Sequence, residues 1–124
     1  MVRIETRDGA VGWGETYGLV APKATAEIIN DLLAGFVIGE DPFQSEAIQD
    51  KLYGLIRVLG YWGGFCHDAI AALDIALWDI AGKAAGLPLH RLLGGPARER
   101  IPAYASLFRY GIADVVAENC AKAK

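Results

Sequence analysis

The chain contains 124 residues, and its 12 lysines and arginines against 15 aspartates and glutamates give a formal net charge of −3. The absence of a basic excess argues against a nucleic-acid partner, and the hydrophobic share of 53% excludes global disorder. The most hydrophobic stretch, residues 69–89, contains three charged side chains, so the sequence also argues against a membrane span. Cys66 and Cys120 are too few for a disulfide framework, and we therefore predict reduced thiols in a cytoplasmic protein.

Two strands joined by a tight turn are predicted at the start of the chain. Residues 2–7 alternate between uncharged and charged side chains, which is typical of a half-buried strand. The Asp-Gly pair at 8–9 predicts a hairpin turn, and residues 11–16 form the return strand, in which Gly12 and Gly14 leave room for close backbone approach. A lone hairpin is marginal in water, so either it packs on the helices that follow or a third strand is missing; we favour the second.

Two helices are predicted next. Apolar residues recur at helical spacing over residues 28–36, and the pattern stops near Gly39. A second apolar stripe runs over residues 48–59. Asp41 and Pro42 are expected to begin this helix as its N-cap and its first helical residue.

The third predicted helix is apolar around almost its whole circumference, which indicates a central position in the domain. Asp68 is its expected cap, and Gly86 ends it. Asp79 and Lys83 form a narrow polar strip. Asp74 falls on the apolar side, where we expect a structural carboxylate bonded to backbone N–H groups or an arginine. A catalytic or metal-binding role is the less favoured alternative.

Most motifs of catalytic chemistry are absent from the sequence. It contains no Walker A loop, no dinucleotide-binding glycine pattern, no His-Glu-x-x-His and no Cys-x-x-Cys. His67 and His90 are predicted to be caps or surface residues rather than metal ligands or bases. Both cysteines are predicted to be unreactive because neither has an evident activating partner.

The composition changes at the end of the chain. Residues 101–107 are predicted to form a strand, and Asp114 is expected to cap a helix over residues 115–124. A strand followed by a helix is the opening of a β/α unit.

A specific resemblance is carried by residues 69–83, Ala-Ile-Ala-Ala-Leu-Asp-Ile-Ala-Leu-Trp-Asp-Ile-Ala-Gly-Lys, with Gly-Leu-Pro-Leu at 86–89 and Leu-Leu-Gly-Gly at 92–95. This pattern resembles the N-terminal signature of the mandelate racemase/muconate lactonizing enzyme group of the enolase superfamily. Further stretches agree with it: Gly-Trp-Gly-Glu at 12–15, Asp-Pro-Phe at 41–43, Leu-Tyr at 52–53 and Ile-Pro-Ala-Tyr-Ala-Ser at 101–106.

The resemblance implies an α+β fold. Residues 1–100 would be an enolase-like N-terminal capping domain, a small antiparallel sheet plus a helical bundle, less its first strand. Residues 101–124 would be the first β/α unit of a TIM-type (β/α)7β barrel. In this family three carboxylates on later barrel strands bind Mg²⁺, a Lys or His removes the proton α to a substrate carboxylate, and the metal stabilises the resulting enediolate.

These catalytic parts would all lie beyond this chain, so no catalytic residue and no metal ligand is expected within it, and the chain alone is predicted to be inactive. The Lys-x-Lys at 122–124 falls in a helix rather than at the end of the second barrel strand. We interpret it as a solvated helix end, where cations suit the helix dipole.

Two segments are implied to contact the substrate. The loop at residues 17–22 would shape substrate choice, with Tyr17, Gly18 and Leu19 as its contact residues; the alternative is that it only pins the cap to the barrel. At the end of the first barrel strand, Ser106 would donate a hydrogen bond to the substrate carboxylate and Tyr104 would hold it. Barrel packing is the alternative for this pair.

The predicted reaction of the complete enzyme is therefore Mg²⁺-dependent proton abstraction from a small carboxylic acid. Dehydration of a hydroxy or sugar acid is favoured, ahead of racemisation or epimerisation and then cycloisomerisation. A homo-oligomer is expected by analogy with the family. The competing hypothesis is a non-catalytic α+β interaction or assembly module.

Overall fold

The structure is a computed structural model that describes residues 1–18, 20–61, 63–104, 118 and 121–122. A two-stranded antiparallel sheet lies against a set of helices, which confirms the predicted α+β capping domain. Its elements in chain order are β1 (Val2–Glu5), β2 (Val11–Gly14), α1 (Pro22–Glu27), a π-helical segment (Ile28–Leu33), α2 (Ala34–Val37), α3 (Ser45–Val58), α4 (Phe65–Ala85) and α5 (Leu89–Leu92).

The hairpin pairs β1 with β2 in the predicted orientation, but its turn is longer than an Asp-Gly turn of two residues. The Thr6 N–H donates to the Ala10 carbonyl at 2.9 Å, and the Gly9 N–H donates to the Thr6 carbonyl at 3.0 Å. Only Gly9 in this loop has a positive φ, at 89°. The loop therefore holds three residues and ends on a left-handed glycine, a common hairpin type. The Thr6 hydroxyl, which accepts the Ala10 N–H at 2.9 Å, favours this longer loop.

Helix α4 is the centre of the domain, as its apolar circumference predicts. It contacts both strands, α1, the π-helical segment, α3 and α5. Its C-terminus ends as predicted, because Gly86 adopts φ 63° and the Leu87 N–H closes the last turn on the Gly82 carbonyl at 3.0 Å. Its predicted start was wrong: the helix begins at Phe65 after Gly64, and Asp68 lies in the first turn, where a carboxylate suits the helix dipole.

The core is formed mainly between α3, α4 and the π-helical segment. Buried side chains of α3 meet the apolar side of α4, and the hydrophobic faces of β1 pack against the same cluster. The predicted stripes are confirmed at their central positions, whereas Phe36 and Leu59 at their ends are exposed. The largest fully buried side chains are Leu33, Ile48, Leu52, Ile56 and Ile80.

The predicted start of the second helix was also wrong. Helix α3 begins at Ser45 rather than at Pro42. The Asp41 carboxylate accepts the Phe43 N–H at 3.0 Å, and the Asp41 carbonyl accepts the Gln44 N–H at 3.0 Å. These local bonds form a turn that competes with helix formation, so the helix begins only after it.

The end of the chain departs from the prediction in part. Residues 101–104 form no strand, because no described strand lies beside them to pair with their backbone groups. The rest of the predicted strand, residues 105–107, lies outside the described residues, as do Asp114 and Lys124. Glu118, Ala121 and Lys122 are helical, as predicted for this segment. The β/α unit as a whole stays a prediction.

Candidate functional site

Strand β2 lies directly against α4 at two glycines. A Cβ on Gly12 would lie 2.1 Å from the Ala76 carbonyl oxygen, and a Cβ on Gly14 would lie 1.9 Å from the Ala72 carbonyl oxygen. No side chain fits at such distances. The predicted close approach of the β2 backbone is therefore confirmed, and the small residues of α4 make it possible.

The polar strip of α4 binds the outer edge of β2. The Trp13 N–H donates to Asp79 Oδ2 at 2.8 Å. Lys83 Nζ donates to the Val11 carbonyl at 2.8 Å and to Asp79 Oδ2 at 2.7 Å. The predicted ion pair is confirmed, but its role at the sheet edge was missed. The one available signal was that the pair forms a narrow polar strip on a largely apolar helix.

These bonds satisfy backbone groups that β1 cannot reach. Val11 and Trp13 lie opposite Glu5 and Arg3 in the antiparallel register. With the Thr6–Ala10 bond fixing the alternation, the N–H and C=O groups of Val11 and Trp13 point away from β1. The Lys83 hydrogen bond and the Trp13 N–H both stabilise the ionised form of Asp79, and so they hold the pKa of its carboxyl below the usual range.

The predicted loop site follows β2 immediately. Tyr17 is 65% exposed and Val20 is exposed, while Gly18 lies next to Pro22. Leu19 lies outside the described residues. Exposure leaves the Tyr17 ring and hydroxyl available to a ligand, although Tyr17 lines neither the cavity along β1 nor the cleft between α3 and α4.

Neither of two cavities among the described residues brings the second predicted segment together with the first. Tyr104 is 88% exposed, and Ser106 lies outside the described residues. The larger cavity, of about 930 Å³, runs along β1 and is bordered by α2 and residues 38–43. A small cleft lies between α3 and α4. Tyr17, Gly18 and Tyr104 line neither of them.

Within the part of the chain that the structure describes, Asp74 lacks the partners predicted for it. It is half-buried in the cleft between α3 and α4, beside Ser45 and Gln49. Neither a backbone N–H nor an arginine binds its carboxylate among the residues that the structure describes. Burial raises the pKa of the Asp74 carboxyl, and no residue placed in the structure offers it a compensating charge or donor. Because Asp74 is only half-buried, water at the edge of the cleft can hydrate its carboxylate.

We expect Asp74→Asn to stabilise the fold near neutral pH. The raised pKa means that the folded chain binds this proton more tightly than the unfolded chain, whose Asp pKa is about 3.9. The free energy of unfolding therefore falls as the pH rises through the folded-state pKa, and the loss persists at pH 7. Because solvent screens the group, the gain at pH 7 should be small, and it should be absent near pH 3.

Urea unfolding at the two pH values measures this difference. Asp50→Asn, a change at an exposed position of α3, serves as the matched control and should leave stability unchanged at both. A loss of stability on Asp74→Asn at pH 7 would show that the carboxylate has a partner after all.

No metal site is formed by the residues placed in the structure. No group of three or more His, Cys, Asp or Glu side chains within them could hold an ion. His67 stacks edge-on against Tyr53 with ring centroids 5.7 Å apart, and its Nδ1 is buried without a described partner. His90 is exposed, Cys66 is a buried free thiol, and Cys120 lies outside the described residues. Among the residues that the structure describes, no helix has both the length and the apolar character needed to cross a membrane.

The family model for the N-terminal domain of mandelate racemase and muconate lactonizing enzyme matches residues 1–94. The chain belongs to this family. Among curated relatives, D-galactarolactone cycloisomerase from Agrobacterium fabrum is 41% identical over 98% of this chain and 32% of its own length. D-galactonate dehydratase from Pectobacterium atrosepticum is 43% identical over 84% of this chain and 26% of its own length.

Solved structures agree with the family. A member of the enolase superfamily from Agrobacterium tumefaciens is 63% identical with a TM-score of 0.71, over 75% of this chain and 24% of that one. The mandelate racemase/muconate lactonizing protein from Paracoccus denitrificans, complexed with magnesium, is 37% identical with a TM-score of 0.74, over 81% of this chain and 26% of that one. The chain thus spans about a quarter to a third of the relatives that it matches.

Proposed function

We propose that residues 1–100 are the capping domain of an enzyme that removes the proton α to a substrate carboxylate, and that residues 101–124 open its barrel. The observation that carries this proposal is the family match over residues 1–94. The central position of α4, which bears the family signature, supports it. The helical residues at 118 and 121–122 agree with a helix after the first barrel strand.

The substrate in this proposal is a sugar acid. The relatives named D-galactonate dehydratase and D-galactarolactone cycloisomerase point to polyhydroxylated carboxylic acids and their lactones. Dehydration is favoured, with racemisation or epimerisation next and cycloisomerisation third. The choice depends on the base and on the acid that protonates the leaving group, and both are assigned to the rest of the polypeptide.

Magnesium is the proposed cofactor of the complete enzyme. The Paracoccus protein is complexed with this ion, which would supply positive charge near the substrate carboxylate. The described residues of this chain do not fit the ion, because they form no cluster of three suitable side chains. Its ligands are therefore assigned to the barrel, and no role in binding the ion is given to the residues described here.

This chain's own contribution is to close the site and to select the acid. Tyr17, Gly18 and Leu19 are the proposed contact residues of the loop after β2, where an exposed tyrosine offers a hydroxyl and a flat apolar face. Ser106 is the proposed donor to the substrate carboxylate, held by Tyr104. Closure by the apolar loop residues would exclude water from the reacting acid.

The sheet of the complete domain is proposed to continue beyond β1. In the antiparallel hydrogen-bonding pattern, every second residue of a strand points its N–H and C=O groups away from the partner strand. In β1 these residues are Arg3 and Glu5, opposite Trp13 and Val11. They face the cavity of about 930 Å³, whose other side is formed in part by Val37 and Ile38. A third strand in this groove fits the interpretation of the hairpin as incomplete.

A homo-oligomer, a cytoplasmic location and the lack of nucleic-acid or membrane partners stay predictions.

The experiment that tests the proposed function follows exchange of the substrate α-proton in the complete enzyme. The enzyme is incubated in deuterium oxide with Mg²⁺ and with either galactonate or galactarolactone, and deuterium incorporation is read by NMR. We expect incorporation or product formation with at least one acid, and its loss when EDTA removes the metal. Activity that survives EDTA would exclude the proposed metal-dependent chemistry.

A further inference from the structure

The outer edge of β2 is closed by side chains rather than by another strand. An edge strand leaves every second N–H and C=O group without a partner. Asp79 accepts the Trp13 N–H at 2.8 Å, and Lys83 donates to the Val11 carbonyl at 2.8 Å. Both side chains come from one helix of 21 residues, and each also binds the other. A single rigid element therefore holds the backbone of β2.

The contacts between β2 and α4 also fix the register of the strand. Along β2, the backbone meets Lys83, then Ala76 and Asp79, and finally Ala72, so the strand runs towards the N-terminus of α4. A slip by one residue would put side chains where the two glycines now touch helix carbonyls. The start of the loop after Gly14 is therefore set by α4.

We propose that Asp79 and Lys83 are positioning residues for the loop at residues 17–22, and through it for the recognition of the substrate. The inference rests on the proposed role of this loop at the mouth of the site. Neither side chain needs to touch the substrate. Their hydrogen bonds to Trp13 and Val11 hold the strand from which the loop departs, and a poorly placed loop weakens binding of the acid.

Hydrogen exchange and steady-state kinetics of the complete enzyme test this proposal together. Asp79→Leu removes the acceptor for the Trp13 N–H, and Asp79→Asn keeps an oxygen that can accept it. Glu118→Gln is the matched control, because Glu118 forms a similar exposed i,i+4 pair with Lys122 at 2.6 Å. Lys83→Met provides a second test that removes only the donor to Val11 and to Asp79.

For Asp79→Leu, we expect amide exchange over residues 11–22 to rise about tenfold. The KM for the acid should rise about tenfold while kcat stays within about twofold. Asp79→Asn should keep the exchange rate and the KM close to their wild-type values. Lys83→Met should raise both, as Asp79→Leu does. Glu118→Gln should change neither. A general loss of folding would instead raise exchange throughout α3 and α4.

Unchanged exchange over residues 11–22 in both Asp79→Leu and Lys83→Met would overturn the proposal. Faster exchange with an unchanged KM would overturn the link between this loop and substrate recognition. Failure of the proposed function itself shows in the wild-type enzyme, which would then turn over no acid before any variant is compared.

Discussion

Replacing Gly14 by alanine is expected to destabilise the domain by at least about 3 kcal/mol. The new Cβ would lie 1.9 Å from the carbonyl oxygen of Ala72 and 2.9 Å from its carbonyl carbon. Both atoms belong to the backbone of α4, so no side-chain rotation relieves the clash. The strand must move away from the helix, which breaks the bond between Trp13 and Asp79 as well.

Chemical unfolding followed by circular dichroism measures this loss. Gly54→Ala is the matched control, because Gly54 lies within α3 and a Cβ there would meet nothing within 4 Å. Alanine should stabilise the helix at that position by up to about 1 kcal/mol. If Gly14→Ala unfolds at the same urea concentration as the unmodified chain, then β2 does not pack on α4 as described.

Truncation of Ile56 to alanine is expected to cost about 2–5 kcal/mol. This side chain of α3 is fully buried in the cluster that joins α3 to α4. The loss combines the removed apolar contacts with the cavity that remains, since neighbours in a packed core relax only partly.

Val58→Ala is the internal control for Ile56. Val58 lies two residues after Ile56 in the same helix, on the opposite side, and is 83% exposed. Its truncation should therefore change stability by no more than about 0.5 kcal/mol. The two variants are compared by urea unfolding under one condition. Equal losses at the two positions would mean that the buried face of α3 is not the one described.

Sequence patterns predicted the elements that depend on short-range signals. Helix α4 follows from its apolar periodicity and from Gly86, whose left-handed conformation ends it. The hairpin follows from alternation and a turn glycine. The start of α3 was misplaced because Asp41 satisfies nearby N–H groups in a turn, and such local bonds compete with helix capping.

Long-range polar contacts could not be predicted in the same way. The Trp13 N–H and Asp79 are 66 positions apart, and nothing in either local pattern specifies the partner. The π-helical segment Ile28–Leu33 could not be predicted from the sequence either, because one wider turn barely alters the spacing of its apolar residues. Asp74 was assigned partners from its place on the helix alone, whereas its solvent access depends on how α3 crosses α4.

The candidate site was predicted through the family rather than through chemistry in the chain. Tyr17 and Gly18 carry no motif of their own. The exposure of Tyr17 after β2 is compatible with either substrate contact or packing on a barrel. The sequence did predict the close approach of Gly12 and Gly14 to another element. The contact of these two glycines with α4 fixes the position of Gly14, after which the loop begins.

Calorimetric titration of Mg²⁺ tests most directly whether binding of the metal requires the polypeptide beyond residue 124. Residues 1–124 and the complete enzyme are titrated side by side under the same conditions. We predict a saturable signal near one ion per chain for the complete enzyme and none for residues 1–124. Saturable binding of Mg²⁺ to residues 1–124 alone would contradict the assignment of the metal to the barrel strands beyond residue 124.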